Sequence, residues 1–544
     1  MKNTKIVGAC LTAILAVSGL TGCFKKKSGD QYDKEGRLIL NLKNVYFDTW
    51  DGQGDVYTEF INEKFGVKIN ASNYDYNDWD GSVNTAINGD NLTDTIQFNL
   101  KAYNSGSTYE RWVGDRMLKA LPDDLSKWPN LQTMISKASN VDALKIDGHL
   151  YGIPIMNDIV KTEKDFSNFT YVYRRDWAKK IDEINKGKAG YEPVYKEGDV
   201  YTWNEFERLV DAINVNLKTL SGITGATAIE DEAWGFPSVT NFYKDAPHCF
   251  TKDDSGRAIN AFTSDKYIEG LEKAKEFVNK GYYSPDNPAF DEGKANKDYT
   301  ANKAGILYDN FSLANYITLR EDLKKTNKDD KSFVLEDAAA FLKVKGPDGK
   351  FAIEGTENWF SMTMFSYEVT DNKMAKILDI IDYLLSEEGT RLAVYGKEGY
   401  DYNIVDGKIV LSETGWEKDD KGKYVPKING AKYLRYMATL GNDTKGFDPY
   451  TDMTTYEIHN AWYTEMKAAK DSNGLRVVKE PADISWMSTP TKNDKTESML
   501  EDANTYVRQY SIGKGISSQA DYRKKFDNST WTSVLKEINA KLGF

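Results

Sequence analysis

Carboxylates are the most abundant groups in this sequence that could do chemistry, whereas histidine and cysteine are scarce. The 544 residues include 83 Asp and Glu, three His and three Cys. So few imidazoles and thiols leave little for a metal cluster, and His248 beside Cys249 has no further ligand nearby in sequence. No HExxH, GxSxG or GxxxxGK[ST] motif occurs. So many acids guarantee carboxylate pairs, and such pairs therefore do not by themselves indicate glycoside hydrolysis.

A calcium site and cofactor chemistry are not expected either. The stretch Asp75–Gly81 has the acid-rich composition of a calcium loop, but Trp79 stands where the third oxygen ligand belongs and no Glu follows at the required spacing. We therefore predict neither a metal nor a cofactor.

The excess of tyrosine and tryptophan is a stronger indication of function than the number of acids. The chain has 34 Tyr and 12 Trp against 23 Phe, and Tyr and Trp combine an apolar face with a polar tip. Sugar rings match this chemistry, since their C–H groups stack on the ring face and their hydroxyls need polar partners. Several of these residues stand beside Asp, Asn or Gly in predicted loops: Trp50, Tyr76, Trp79, Trp234 and Trp359. Together they predict an aromatic-lined polar cleft, although core packing or loop anchoring explains any single one equally well.

A strand–helix–strand–helix–strand run at the start of the chain must position the first of these residues. Periodicity and turn residues predict strands and helices at 37–47, 55–65, 67–71, 79–87 and 95–98. This alternation predicts an α/β protein with a parallel sheet, in which ligands bind beyond the carboxyl ends of the strands. Those ends carry Trp50 and Asp51, then Tyr76, then Asn99.

Later elements repeat this α/β character. Thr202 and Glu205 form a capping box that predicts a helix start. A strand is predicted at 171–173, and further helices are predicted at 175–184, 264–281, 371–388 and 531–542.

The first residues read as an export signal. Lys2 and Lys5 precede an apolar stretch from Ile6 to Leu20, which is the length of a signal-peptide core rather than of a membrane span. The following Leu20-Thr21-Gly22-Cys23 resembles a bacterial lipobox, which predicts lipidation of Cys23, a signal peptide over 1–22 and a polar tether over 23–36. An ordinary cleavage site that contains a cysteine is the alternative.

The net charge argues against two classes of partner. The net charge is −12, and removal of residues 1–22 makes it −14. This acidity opposes binding to nucleic acid and to an anionic lipid surface, both of which require clustered Lys and Arg. We expect a monomer that meets the membrane only through its lipid anchor.

Four segments in order resemble family 1 extracellular solute-binding proteins. Lys145–Pro154 resembles their DGKLYGIP signature, and Tyr173–Trp177 followed by Thr202–Phe206 resembles their YRKDWL…TWDEF run. The remaining similar segments are 293–295 with 303–306, and 386–402. The resemblance covers nearly all of residues 37–544.

The resemblance implies a substrate-binding lipoprotein of a carbohydrate ABC importer on the outer face of the cell membrane, with permease subunits as partners and no enzymatic activity. It implies a two-lobed periplasmic-binding-protein-like α/β fold with a hinged interlobe cleft. By the family pattern, lobe 1 takes 37–155 plus 338–400, and lobe 2 takes 156–337 plus 401–544. Some alginate-binding relatives carry a calcium loop at the position of 214–228, but this stretch has no carboxylate here. A cell-surface glycoside hydrolase and a peptide-binding relative remain alternatives.

The ligand-binding residues expected from these arguments are divided between the lobes. They are Trp50, Asp51, Tyr76, Trp79, Asn99 and Trp359 in lobe 1, Arg175, Trp234 and Asn310 in lobe 2, and Tyr400 near a crossover. For Arg175 the alternative is an ion pair with a neighbouring acid, and for Tyr400 it is packing in the hinge.

The lipobox generates the first test. We expect Cys23→Ala to leave the protein without acyl chains and uncleaved by the lipoprotein route, because the modified sulfur is gone. Detergent partitioning and mass spectrometry of the wild type and the variant measure this. Acyl chains on the same peptide of the variant would contradict the prediction.

Overall fold

The structure is a computed structural model that describes most of the chain after the predicted signal peptide. It describes residues 29–47, 50–75, 78–89, 92–100, 106–158, 166–232, 235–289, 291–405, 408–418, 424–427, 430–438, 440–443 and 453–544. Cys23, Tyr76 and Trp234 lie outside these ranges. Within them, no helix has both the length and the apolar character needed to cross a bilayer.

The described chain contains the following helices and strands. The helices are α1 (Val56–Phe65), α2 (Trp79–Asn88), α3 (Gly106–Gly114), α4 (Pro129–Ser136), α5 (Arg175–Asn185), α6 (Trp203–Leu220), α7 (Asp265–Asn279), α8 (Lys294–Thr300), α9 (Leu313–Thr326), α10 (Leu335–Ala338), α11 (Asp371–Leu385), α12 (Glu387–Tyr395), α13 (Gly430–Met437), α14 (Met453–Asp471), α15 (Ala482–Ser485), α16 (Pro490–Ser511), α17 (Gln519–Lys525) and α18 (Ser529–Leu542). The strands are β1 (Leu38–Lys43), β2 (Val67–Ser72), β3 (Thr95–Phe98), β4 (Leu118–Lys119), β5 (Gly152–Asp158), β6 (Phe169–Tyr173), β7 (Val200–Tyr201), β8 (Thr227–Asp231), β9 (Phe250–Lys252), β10 (Ala258–Asn260), β11 (Ala304–Asn310), β12 (Ala340–Val344), β13 (Phe351–Glu354), β14 (Trp359–Ser366), β15 (Tyr402–Val405), β16 (Lys408–Leu411), β17 (Trp416–Lys418), β18 (Tyr424–Pro426), β19 (Leu440–Asp443) and β20 (Leu475–Val478).

Two mixed sheets organise these elements. The first has the order β19-β5-β14-β3, with β4 beside β14, and the second has the order β7-β12-β6-β11-β8. In each sheet one strand runs against its neighbours: β14 is antiparallel to β3 and β5, and β6 is antiparallel to β11 and β12. We call the part of the chain built on the first sheet the first lobe and the part built on the second sheet the second lobe.

Alternation of side chains along β6 gives the second sheet a core on each face. Val172 packs with Leu307 in one core, while Tyr171 and Tyr173 point into the other core with Ile306, because successive strand residues face opposite sides. The C-terminal helices α16 and α18 form a further core with the hairpin of β9 and β10.

The opening βαβαβ prediction is confirmed in its elements and partly in its pairing. Strands β1 and β2 pair in parallel over their whole length. Strand β3 is joined to β1 largely through side chains, since Asp94 Oδ2 accepts from the Asn41 N–H at 2.7 Å and Gln97 Oε1 accepts from the Val45 N–H at 2.9 Å. The backbone ladder of β3 is instead formed with β14, far along the sequence.

One predicted helix is two helices. Ser386 ends α11 in an extended conformation, and its Oγ accepts from the Gly389 N–H at 3.2 Å to cap α12. The predicted continuous helix over 371–388 is therefore wrong in its last turn, because a serine N-cap favours a new helix start.

Sheet membership also differs from the predicted lobe boundaries. Strand β12 pairs with β6 in the second sheet, although the family pattern places 338–400 in lobe 1. Strand β19 pairs with β5 in the first sheet, and α13 contributes to the first-lobe core, although the family pattern places 401–544 in lobe 2. The chain passes from one lobe to the other in the connections from β5 to β6, from β13 to β14, and from β19 to α14.

Asp55 caps helix α1, and its substitution tests how much this cap contributes to the stability of the fold. Its carboxylate accepts from the backbone N–H groups of Tyr57 and Thr58 at 3.0 and 2.8 Å and from Trp50 Nε1 at 3.2 Å. Asp55→Ala removes a helix cap and leaves a buried indole N–H without its acceptor, which should lower the free energy of unfolding by about 2 kcal/mol. Asp55→Asn retains the capping oxygen and should lose less. Urea unfolding measures both, and equal stability of Asp55→Ala and wild type would contradict the assignment.

Candidate functional site

A large cavity lies between the two lobes and has a volume of about 1090 Å³. Small-molecule sites in proteins typically have volumes of about 300–1,000 Å³, so this cavity can hold a ligand of several rings. It opens at the carboxyl ends of β3, β8 and β11, where Asn99, Glu232 and Asn310 line it. This is the position that the strand-end rule predicts for a ligand.

The two lobes contribute unequally to the lining. The first lobe supplies Asn99 and Leu100 after β3, and Trp359 at the start of β14. The second lobe supplies the beginning of β6, the ends of β8 and β11, and faces of α8 and α9. The lining residues of the second lobe include Phe169, Glu232, Glu292, Asn296, Asp309, Asn310, Asn315 and Asp322.

Two indoles lie side by side in the lining. The rings of Trp359 and Trp486 are tilted by 33° with their centroids 5.5 Å apart. Trp359 is only 3% exposed, and its Nε1 donates to the Ser139 carbonyl at 2.8 Å, which fixes the ring. Trp486 is half-buried. The pair offers an apolar surface against which a flat ring can stack.

A carboxylate pair forms the polar centre of the second-lobe wall. Glu232 and Asp309 are 2% and 6% exposed, and the Nδ2 of Asn296 donates to both carboxylates. Asp309 also accepts from the Asn310 backbone N–H at 2.6 Å. Burial, with a further contribution from the charges of Glu232 and Glu292, raises the pKa of Asp309 to about 6.

A crossover segment closes one side of the cavity. Residues 354–357 line it between β13 and β14. Glu354 pairs with Lys244 at 2.8 Å; burial opposes ionisation of Glu354, but the nearby lysine outweighs this and lowers the pKa of the carboxyl. Glu357 pairs with Lys479 at 3.1 Å and accepts from Asn140 Nδ2 at 2.9 Å. The segment is thus tied to both lobes.

Beside this segment, Glu480 also lines the cavity. It accepts from the Phe250 backbone N–H at 2.7 Å, and burial raises the pKa of its carboxyl to about 7. Across the described residues, no group of three or more His, Cys, Asp or Glu is placed to hold a metal ion.

Three of the predicted ligand-binding residues line the cavity: Asn99, Asn310 and Trp359. Tyr76 and Trp234 lie outside the described residues. The other five lie away from the cavity lining.

Core packing accounts for two of these five. Trp50 is 7% exposed and stacks on Tyr433 with centroids 5.1 Å apart, so its ring faces are covered. Trp79 packs edge-on against Tyr46, and its Nε1 donates to the Gln97 carbonyl at 3.0 Å.

Local polar contacts account for the other three. Arg175 is ion-paired with Asp199 and with Asp337, which is the alternative stated for it above. Asp51 is exposed and accepts from the Gln53 N–H at 3.0 Å in a turn. The Tyr400 N–H donates to the Lys397 carbonyl at 3.1 Å in the turn that follows α12.

The sequence also contains cavity residues that were not predicted. Glu232 and Asp309 stand at the ends of apolar strands, so the strand-end rule that points to Asn99 would also have pointed to them. Asn296, Lys479 and Trp486 come from helices and crossovers and carry no comparable local signal.

Comparison with curated sequences finds a partial relative. No protein-family model matches the chain. Lipoprotein LipO of Bacillus subtilis (strain 168) is 27% identical over 171 residues, which is 31% of this chain and 32% of that protein. The match therefore spans about a third of the curated relative.

Solved structures match nearly the whole chain. An extracellular solute-binding protein from Bifidobacterium longum subsp. infantis has a TM-score of 0.62 at 14% identity, covering 94% of this chain and 99% of that one. An HMO-binding, ABC-transporter-associated solute-binding protein from Bifidobacterium longum infantis has a TM-score of 0.61 at 14% identity, covering 93% and 98%. The S. pneumoniae ABC-transporter substrate-binding protein FusA in complex with kestose has a TM-score of 0.57 at 15% identity, covering 93% and 99%.

This chain therefore has the two-lobed α/β fold of the extracellular solute-binding proteins, and the predicted resemblance and fold class are confirmed. All three solved structures are named as binding proteins.

Proposed function

We propose that this chain is the substrate-binding protein of an ABC importer and that it binds an oligosaccharide in the cleft between its lobes. The observation that carries the proposal is the cavity of about 1090 Å³, which combines the Trp359–Trp486 pair with amide and carboxylate side chains. Aromatic faces suit sugar C–H groups, and amides and carboxylates suit sugar hydroxyls. FusA, a protein of this fold, binds kestose, which supports a carbohydrate as the ligand class.

The division of the lining between lobes supports a closing mechanism. Asn99 and Trp359 belong to the first lobe, whereas Asn296, Asp309 and Asn310 belong to the second. A sugar that touches both walls stabilises the closed arrangement, while either wall alone binds weakly. Release to a transporter requires moderate affinity, and a Kd in the micromolar range corresponds to about −8 kcal/mol.

The membrane context completes the proposal. Acyl chains on Cys23 would hold the protein on the extracytoplasmic face of the cell membrane, within reach of permease subunits. The tether predicted over 23–36 is shorter at its end, because residues 30–36 are hydrogen-bonded to the folded chain: Asp30 accepts from Asn372 Nδ2 at 2.7 Å, and the Ile39 N–H donates to the Gln31 carbonyl at 2.8 Å. The partial similarity to a protein named as a lipoprotein supports this anchoring. A binding protein delivers its sugar intact, so no bond is made or broken.

Closure without chemistry is testable in one experiment. Sugars selected from a glycan array are incubated with protein lacking residues 1–28, and small-angle scattering is recorded with and without each sugar. We expect a smaller radius of gyration on binding because the lobes close, and mass spectrometry should recover the sugar unchanged. Cleaved sugar in catalytic excess over protein would contradict the transport function and favour the hydrolase.

The aromatic pair gives a second test. Trp486→Ala removes a stacking surface worth on the order of 0.5–1.5 kcal/mol beyond its buried area, and should weaken sugar binding about tenfold. Trp486→Phe should restore most of the loss. Trp128→Ala is the matched control, because Trp128 is buried in the first-lobe core beside α4 and does not line the cavity. Calorimetry measures affinity, and wild-type affinity in folded Trp486→Ala would exclude this stacking role.

A further inference from the structure

Glu232 and Asp309 are nearly buried carboxylates in the wall of the cavity, and their hydrogen-bond donors are uncharged. Glu232 accepts from Asn296 and from the Gly293 backbone N–H, and Asp309 accepts from Asn296 and the Asn310 backbone N–H. Among the described residues, no Lys or Arg forms an ion pair with either carboxylate. Buried charges are normally paired, so this wall of the cleft holds negative charge that the protein leaves uncompensated.

The other charged residues that line the cavity do not cancel this negative charge. Seven carboxylates and two lysines line it. Glu354, Glu357 and Asp322 each have a lysine partner, Lys244, Lys479 and Lys325. Of the two lysines in the lining, Lys479 is already paired with Glu357. The other, Lys297, is exposed on α8. The described part of the cleft is therefore net negative, and most strongly so around Glu232 and Asp309.

A negative wall discriminates between ligands by charge. A carboxylate or sulfate on a sugar would lose its hydration on entering the cleft and meet like charges in a medium of low dielectric constant. A sugar hydroxyl or ammonium group would instead donate to Glu232 or Asp309. The shared Asn296 donor keeps the two carboxylates close together, so both would repel the same anionic group.

We propose that the cleft accepts oligosaccharides without anionic groups and rejects uronate-containing or sulfated ones, with Glu232 and Asp309 as the residues that determine this selectivity. The inference rests on the proposed function, because it names the charge class of the ligand in the same cleft.

A glycan array that contains neutral, amine-bearing, uronate-containing and sulfated oligosaccharides tests the proposal first. Uncharged or amine-bearing glycans among the bound spots, without anionic ones, are the expected result. Binding of uronate-containing or sulfated glycans at equal strength would overturn the charge selectivity while leaving carbohydrate binding intact. An array with no bound glycan would overturn the proposed function and this inference with it.

Calorimetry at pH 8, where Asp309 is ionised, then measures the selectivity with a matched pair. The pair is the neutral glycan bound best on the array and the same glycan with one C6 hydroxyl group oxidised to a carboxylate. We expect the oxidised form to bind at least tenfold more weakly at low salt. The ratio should shrink toward high salt, since the Debye length falls from about 10 Å at 0.1 M to about 3 Å at 1 M. A ratio near one at low salt would overturn the proposal even if no variant folds.

Variants without the charge of Glu232 or Asp309 test whether these residues cause the selectivity. Glu232→Gln and Asp309→Asn keep the size of each side chain but remove its charge, and each should reduce the affinity ratio several-fold. Glu183→Gln makes the same charge change on an exposed face of α5, outside the cavity lining, and should leave the ratio unchanged. An unchanged ratio in folded Glu232→Gln and Asp309→Asn would remove these residues from the selectivity.

Discussion

The cleft depends on one short segment, residues 354–359, whose ends are held by different lobes. At its start Glu354 pairs with Lys244 of the second lobe, and at its end Asn358 accepts from the Ser139 N–H of the first lobe at 2.8 Å. Between them, Gly355 runs so close to Lys479 that an added Cβ would lie 2.7 Å from the Cβ of that lysine. Because both ends are fixed, a change in the angle between the lobes must be absorbed here and at the other crossovers. The same segment lines the cavity, so ligand contact and lobe orientation are coupled through a few residues.

The positions of the tryptophans are related to the hydrogen-bond partners of their indole N–H groups. Trp50 and Trp79 donate their indole N–H groups to Asp55 and to a backbone carbonyl, and their rings pack against Tyr433 and Tyr46. A tryptophan whose N–H has a partner inside the protein is stable in the core and contributes apolar area there. Trp359 satisfies its N–H in the same way but stands at a strand start that adjoins the cavity. Residue type and local polarity are therefore the same for core and cleft tryptophans, and only the tertiary structure distinguishes them.

The ends of a helix could be predicted from the sequence where hydrophobic periodicity coincides with a capping residue. Helix α1 runs from its Asp55 cap to Gly66, which adopts a φ of 65° that few other residues tolerate, and α6 begins at the predicted capping box. The pairing of β14 with β3 and β5 was not predictable, because it joins residues more than two hundred positions apart and leaves no local pattern. The site shows the same division. Asn99 follows from the strand-end rule, whereas Trp486 reaches the cavity only because residues 479–486 pass beside the crossover.

The uncompensated carboxylates also bear on how strongly a sugar can be held in the proposed function. Hydrogen bonds to charged groups contribute about 1.5–3 kcal/mol each, more than neutral ones. Sugar hydroxyls that donate to Glu232 and Asp309 would replace water, or would replace the Asn296 amide that already satisfies part of each carboxylate. Only the difference between these partners appears as binding free energy. A wall whose acceptors are already partly satisfied by a neutral donor therefore orients hydroxyls strongly but adds little net affinity. That combination suits a protein that must select a sugar and then release it.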